Sequence, residues 1–144
     1  MRRVLVVEDS VSTRAFVRAV LESADPAPSY EVVEASSGFD AMRLLPRGPY
    51  HLIITDLNMG DINGLELIRF VRSSGQHRMT PLMIISSLRA ETDIARGLAL
   101  GADAFLSKPF TAEQLRETCV RLLSSARATA AAEIPPDGTP SDGT

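Results

Sequence analysis

The sequence contains little cysteine and little histidine. Its single cysteine, Cys119, excludes a disulfide within the chain. The two histidines, His51 and His77, have no cysteine or histidine neighbour at metal-ligand spacing. These absences exclude a disulfide-stapled fold and a histidine-built zinc site. We expect Cys119 to be a core thiol on a helix face, without a redox role.

Long apolar runs and runs of positive charge are also missing. No stretch has the apolar length needed to span a bilayer, and the opening "MRRVLVVED" is too short in apolar residues for a signal peptide. The formal net charge is −3, and lysine and arginine are not clustered. We therefore expect a cytoplasmic chain that binds neither a membrane nor nucleic acid directly.

Short runs rich in Val and Ile alternate with longer segments of helical periodicity. Of the 144 residues, 44% are hydrophobic, which suits one domain with a substantial core. The predicted strands are "RRVLVVE", "YEVVEA", "YHLIIT", "TPLMIISS" and "ADAFLSK". This alternation predicts a doubly wound α/β fold of five βα units, with a central five-stranded parallel sheet and helices on both faces.

The segments between and after these strands are predicted to be helical. They are "VSTRAFVRAVLESA", "SSGFDAMRLL", "GLELIRFVRSS", "AETDIARGLALG" and "TAEQLRETCVRLLSSA". The residues expected to face inward are Phe16, Val17, Val20, Leu21 and Ala24 in the first helix, Leu65, Ile68 and either Val71 or Arg72 in the third, and Leu115, Cys119 and Leu122 in the last. Gly97 should weaken the fourth helix by roughly 1 kcal/mol, and Gly101 should cap it. Thr111 is the predicted N-cap of the last helix.

The composition changes after Ser125. The segment "RATAAAEIPPDGTPSDGT" has no aromatic residue and cannot bury enough surface to fold alone. Its alanines allow the last helix to continue as far as Glu133, where Pro135 and Pro136 should end it. We therefore predict one domain over residues 1–125 and a disordered tail or linker stub over 126–144.

Charged and polar residues stand where the predicted strands end. They are Glu8 and Asp9 after the first strand, Asp56 after the third, Ser86 and Ser87 on the fourth, and Lys108 with Pro109 after the fifth. Each has an ordinary explanation alone: Asp9 would suit a helix N-cap, and Lys108 a solvated surface. In an open parallel sheet, however, the functional crevice lies beyond the carboxyl ends of the strands. Their coincidence there predicts a site.

The residue types at these positions suit phosphoryl transfer. Carboxylates held close together repel one another, and Mg²⁺, which prefers oxygen ligands, relieves that repulsion. Asp56 would be a nucleophile that forms an acyl phosphate. Lys108 and the metal would hold the charge on the phosphoryl oxygens, and Ser86 could hydrogen-bond another oxygen.

The sequence resembles the CheY-like receiver domains of bacterial two-component response regulators. The resemblance runs from about Arg3 to Ser125 and rests on "VLVVEDS", "LIITDLNMGDINGLEL", "PLMIISS" and "GADAFLSKPF". It implies a flavodoxin-like fold and a phosphoryl group that comes from a sensor histidine kinase. Beyond its own phosphoryl transfer and autodephosphorylation, such a domain is not an enzyme.

The resemblance also implies a role for each matching residue. Asp56 would be the phospho-acceptor, and Mg²⁺ would be held by Asp9, Asp56 and the backbone carbonyl of Asn58, with Glu8 in contact through water. Ser86 matches the switch hydroxyl, Phe105 the aromatic that turns inward on activation, and Lys108 the phosphate-binding lysine. A cis peptide bond is expected between Lys108 and Pro109. The signal would leave through the face formed by the fourth helix, the fifth strand and the last helix, to a protein target or a second receiver.

Three positions depart from the common pattern of the family. Gly60 stands where proline is frequent, which leaves the acceptor loop more flexible. Glu8 replaces the common aspartate and keeps a carboxylate on a longer arm. Phe105 replaces the frequent tyrosine, so a phenol hydroxyl cannot contribute to partner binding.

Other functions would require different residues at the same positions. A haloacid-dehalogenase-like phosphatase needs a second aspartate two residues after the nucleophile, where this chain has Asn58. A degenerate receiver that acts only as a binding module would lack Asp9, Asp56 or Lys108. A flavodoxin-like cofactor protein would need a glycine-containing phosphate loop, and "EDSVST" has none. A receiver that is part of a longer multi-domain regulator remains an alternative.

Overall fold

A five-stranded parallel sheet forms the centre of the molecule. The computed structural model describes residues 2–23, 29–87 and 91–132. The strands are β1 (Arg3–Val7), β2 (Glu31–Ala35), β3 (Leu52–Asp56), β4 (Leu82–Ser87) and β5 (Ala104–Lys108). Their order in the sheet is β2-β1-β3-β4-β5, and every neighbouring pair is parallel. The predicted doubly wound fold is confirmed.

Helices follow the strands and cover both faces of the sheet. They are α1 (Val11–Glu22), α2 (Gly38–Leu44), α3 (Gly64–Ser73), α4 (Glu91–Leu100), α5 (Ala112–Leu123) and α6 (Ala126–Ala132), and a 3-10 turn, Leu45–Arg47, follows α2. None of the helices in the described ranges is long and apolar enough to cross a bilayer.

The core lies in two layers because successive strand residues point to opposite faces. Ile54 of β3 packs in one layer with residues of α1 and α5, whereas its neighbour Ile53 packs in the other with residues of α3. All five residues of β3 are buried. A central strand with two apolar faces is therefore confirmed, and its last residue, Asp56, enters the site from a rigid support.

The first and third helices show where the predicted inward faces hold and where they fail. Val17, Val20 and Leu21 are buried as expected, but Phe16 is 40% exposed and packs on Phe110, with the ring centroids 5.9 Å apart. The prediction for Phe16 is wrong because the buried face of α1 is narrower than its apolar periodicity suggested and consists of Val17, Val20 and Leu21. Ala24 lies outside the described residues.

In α3 the choice between two inward residues is decided by packing. Val71 is fully buried, and Ile68 is buried as predicted, whereas Leu65 is only partly buried. Arg72 instead pairs with Asp103, with its Nη2 3.0 Å from Oδ2.

Glycine sets the position of α4. A Cβ on Gly97 would lie 2.5 Å from Ile84 Cδ1, so the residue that weakens the isolated helix also lets it approach β4. Gly101 has φ 121° and donates its N–H to Leu98 O at 3.1 Å, which confirms it as the cap. The start expected at Ala90 lies outside the described residues.

The last two helices are separate, which corrects the expectation of one prolonged helix. In α5, Thr111 is the N-cap, as predicted, and it forms a capping box with Gln114. Leu115, Cys119 and Leu122 are buried, which confirms the predicted inward face. The chain leaves helical geometry at Ser124, and α6 then begins at Ala126.

Part of the segment that was predicted to be disordered is therefore structured. Residues Ala126–Ala132 form α6, and Arg127 Nε lies 2.5 Å from Asp103 Oδ1. Asp103 thus accepts from both Arg127 and Arg72. The composition of the segment could not reveal this partner because Asp103 is remote in the sequence. Residues 133–144 lie outside the described part of the chain.

Candidate phosphoryl-acceptor site

The predicted site residues meet at the carboxyl edge of the sheet. Parallel register places Val7 beside Thr55 and Ser87 beside Lys108, so β1, β3, β4 and β5 end near one another. The next residues along the chain after Val7 are Glu8 and Asp9. The sheet therefore assembles residues that are up to a hundred positions apart.

Three carboxylates form the centre of this arrangement. One oxygen each of Glu8, Asp9 and Asp56 lies within 4.8 Å of the others. Glu8 and Asp56 are buried, whereas Asp9 is exposed. Oxygen donors at this separation suit a hard divalent cation such as Mg²⁺, which keeps several waters and needs only a few protein ligands.

The ammonium of Lys108 links two of the carboxylates. Its Nζ lies 2.6 Å from Glu8 Oε1 and 2.8 Å from Asp56 Oδ2. Burial by itself lowers the pKa of Lys108, but the hydrogen bonds to Asp56 and Glu8 outweigh it, and the pKa is raised. Lys108 therefore stays cationic at neutral pH. The Lys108–Pro109 peptide bond is cis, as predicted.

Glu8 is held by contacts on both sides. Burial raises the pKa of Glu8, and the hydrogen bond from Lys108 works against that rise. Its Oε2 accepts from the N–H of Ser10 at 3.1 Å, and its backbone carbonyl accepts from Arg14 Nη1 at 2.7 Å. The carboxylate of Glu8 thus contacts Lys108, whereas Asp9 is exposed.

The acceptor loop, residues 57–63, begins directly after Asp56. Asn58 donates its N–H to Asp56 Oδ1 at 3.1 Å, so both oxygens of Asp56 are oriented, one by Asn58 and one by Lys108. This fixes the rotamer of the carboxylate. The hydrogen bond also brings the Asn58 backbone to the edge of the carboxylate group.

The two predicted switch residues lie on neighbouring strands. Ser86 is fully buried, and its Oγ has no hydrogen-bond partner among the described residues. Phe105 is partly buried and packs against the layer that contains α3 and α4. A buried hydroxyl without a partner is costly, and it is available to a new acceptor.

A groove of about 380 Å³ opens beside Lys108. Its lining consists of Ser12, Thr13, Phe16, Lys108, Pro109 and Phe110. Periodicity failed to identify this surface because it assigned Phe16 to the core. The exposed ring of Phe16 borders the approach to Lys108 instead.

The sequence analysis missed one residue beside the site, Asp61, and left unused one signal that supports Lys108. Lys108 is the only lysine in the chain, and the other 14 of its 15 lysine and arginine residues are arginine. A lone lysine before proline at a strand end marks that position more strongly than its motif alone. Asp61 accepts from the N–H groups of Gly38 and Phe39, a contact between distant segments that no local pattern reveals.

Comparison with known proteins assigns the family. The family model described as "Response regulator receiver domain" matches residues 4–120. A probable transcriptional regulatory protein of Picosynechococcus is 36% identical over 128 residues, which cover 84% of this chain and 49% of that protein. This chain therefore spans about half the length of that relative.

Solved structures share the fold over most of the chain. The chemotaxis response regulator CheY4 of Vibrio cholerae is 34% identical with a TM-score of 0.78, and the match covers 85% of this chain and 99% of that one. The receiver domain of sensor histidine kinase PA1611 from Pseudomonas aeruginosa, solved with a magnesium ion coordinated in its active-site cleft, is 25% identical with a TM-score of 0.77; the match covers 86% of this chain and 98% of that domain. With the family model covering every strand and the carboxylates and lysine gathered at the sheet edge, the chain belongs to the response regulator receiver domain family.

Proposed function

We propose that this protein accepts a phosphoryl group on Asp56 from a sensor histidine kinase. The observation that carries the proposal is the 2.8 Å contact between Lys108 Nζ and Asp56 Oδ2 beside two further carboxylates. A carboxylate oxygen of Asp56 would attack phosphorus while the phosphorus–nitrogen bond to the kinase histidine breaks, and the electron pair of that bond would stay on the imidazole. The proposed phosphodonor implies a cytoplasmic location.

Each neighbour of Asp56 has a distinct part in this proposal. Asp9, Asp56 and the Asn58 carbonyl would hold Mg²⁺, and Glu8 would contact it through water. Mg²⁺, when bound, supplies positive charge next to the phosphoryl oxygens. The ammonium of Lys108 would donate a hydrogen bond to one phosphoryl oxygen, and Ser86 Oγ would donate to another. Among receivers, PA1611 supports the metal assignment.

The direct test is the mass of the intact protein after incubation with acetyl phosphate. We expect the mass of one phosphoryl group to be gained with Mg²⁺ present, and no gain when the metal is chelated. A gain that is unaffected by chelation would contradict the proposed metal dependence. No gain with Mg²⁺ would contradict the proposed function.

The carboxylates should contribute unequally to metal affinity. We expect Asp9→Ala to weaken Mg²⁺ binding by more than about tenfold, and Glu8→Ala to weaken it less, since the oxygens of Glu8 already accept hydrogen bonds from Lys108 and Ser10. Calorimetric titration with Mg²⁺ measures both affinities. Equal losses, or a larger loss for Glu8→Ala, would reject the ranking.

The proposed output surface is formed by α4, β5 and α5. Phosphorylation adds acceptor oxygens at Asp56, which would draw Ser86 toward them and vacate space that Phe105 can enter. Phe105 belongs to β5 of this surface, and Ser86 lies on the neighbouring strand β4, which also contacts α4. The partner would be a target protein or a second receiver domain.

Hydrogen exchange with beryllofluoride, which mimics the phosphoryl group, tests this output surface. We expect altered exchange between residues 91 and 110 in the wild type and no change in Asp56→Asn, which cannot bind the mimic. Changes confined to α1 and α2 would refute the assignment.

A further inference from the structure

The base of the acceptor loop is closed by backbone contacts. Gly64, the first residue of α3, donates its N–H to Leu57 O at 2.9 Å. A Cβ on Gly64 would lie 2.5 Å from Asp56 O and 2.6 Å from Leu57 Cα. The loop therefore leaves β3 and enters α3 through a tight neck that glycine permits.

The far side of the loop is tied to α2 by Asp61. Its Oδ1 accepts from the N–H of Gly38 at 3.0 Å, and its Oδ2 accepts from the N–H of Phe39 at 2.9 Å. The hydrogen bond from Phe39 is the largest of several backbone bonds that hold the pKa of Asp61 at about 2. Asp61 is therefore ionised at neutral pH, and its two hydrogen bonds are charge-assisted.

A second contact supports the same attachment. A Cβ on Gly38 would lie 2.7 Å from Ile62 Cβ and 3.0 Å from Ile62 O, so the start of α2 lies directly against the loop. Ile62 is itself buried. The loop is thus held at its neck and at residues 61 and 62.

The span between these attachments contains Asn58, whose carbonyl is a proposed metal ligand. It consists of Asn58, Met59 and Gly60, and a Cβ on Gly60 would meet nothing within 4 Å. Gly60 has neither the ring of a proline nor a packing contact to restrict it. Asn58 donates its N–H to Asp56 Oδ1 and Met59 packs against the core, so Gly60 is the least restrained position of the span and depends most on the attachment at residues 61 and 62.

We propose that Asp61 is a positioning residue for phosphoryl transfer. Its hydrogen bonds to the start of α2 hold the acceptor loop in place and thereby keep the Asn58 carbonyl beside the carboxylates. This inference rests on the proposed function, in which that carbonyl is a metal ligand. These two hydrogen bonds restrict the backbone of the loop, as a proline at position 60 would otherwise do. Asp61 acts through the loop and contacts no reacting atom.

The test compares Asp61→Ala with a matched variant, Asp40→Ala. Asp40 also stabilises the start of α2, because its Oδ2 accepts from the N–H of Ser36 at 3.1 Å, but that bond does not reach the acceptor loop. We expect Asp61→Ala to weaken Mg²⁺ affinity about tenfold in calorimetric titration, and Asp40→Ala to leave it within about twofold. Without Mg²⁺, hydrogen exchange over residues 58–62 should be faster in Asp61→Ala than in the wild type, and it should be unchanged in Asp40→Ala.

Two further measurements separate positioning from loss of folding. Adding Gly60→Pro to Asp61→Ala should recover most of the lost Mg²⁺ affinity, since proline orders the loop independently. The rate of phosphorylation by acetyl phosphate in Asp61→Ala should approach that of the wild type at saturating Mg²⁺. Equal affinities in Asp61→Ala and wild type, or equal losses in Asp61→Ala and Asp40→Ala, would overturn the inference. Failure of the wild type to bind Mg²⁺ would instead reject the proposed function.

Discussion

Replacing Asp56 by asparagine is expected to abolish the phosphoryl gain from acetyl phosphate. The amide is neutral and lacks the nucleophilic carboxylate oxygen, so no acyl phosphate can form. Lys108 would keep its 2.6 Å contact with Glu8, and removal of one carboxylate would reduce repulsion among the remaining acids. The variant should therefore fold as well as the wild type while losing the reaction completely.

Intact-mass measurement with Mg²⁺ present decides this prediction. Asp40→Asn is the matched control, because it also converts an aspartate to asparagine but lies on α2, away from the carboxylates. It should gain the same mass as the wild type. Thermal unfolding of both variants verifies that they are folded. An undiminished gain in Asp56→Asn would show that another residue accepts the phosphoryl group.

Gly64→Ala is expected to cost about 3 kcal/mol of unfolding free energy. The added Cβ would lie 2.5 Å from Asp56 O and 2.6 Å from Leu57 Cα, which are backbone atoms of β3 and the acceptor loop. Backbone cannot move aside as a flexible side chain does, so either the neck of the loop opens or α3 shifts. Both changes would also displace Asp56.

Gly60→Ala is the control for this effect. It makes the same chemical change four residues away, where a Cβ meets nothing within 4 Å and where φ is not positive. We expect it to be neutral or to stabilise by up to about 1 kcal/mol, because alanine restricts the unfolded chain. Urea unfolding followed by circular dichroism gives both values. Similar stabilities for the two variants would contradict the close approach at Gly64.

Sequence reasoning succeeded where a feature depends on near neighbours or on the rule that strand ends meet. Thr111 was identified as an N-cap from the residues beside it. Asp56 was placed at the end of an apolar strand, and the parallel sheet then required Lys108 to approach it. The cis bond at Pro109 followed from the family resemblance. These features need no knowledge of how helices settle on the sheet.

It failed where a residue's environment comes from a distant segment. Phe16 fits the apolar face of α1 by spacing, yet it packs on Phe110 at the rim of the groove. Gly97 looked like a weak point of α4, but its missing side chain makes room for Ile84. Arg127 was predicted to lie in a disordered tail, but it forms an ion pair with Asp103. Periodicity measures the average direction of a face and not its width or its partner.

The sequence by itself determined the alternation of strands and helices and the set of polar residues at the strand ends, because both follow from hydrophobic period and local chain chemistry. Only the tertiary structure decided which oxygens Lys108 contacts, that Asp61 holds the acceptor loop on α2, and that α6 is attached through Arg127. Those contacts join residues at least 20 positions apart. Their distances are set by sheet register and helix packing, which arise from the burial of the whole core rather than from any one segment.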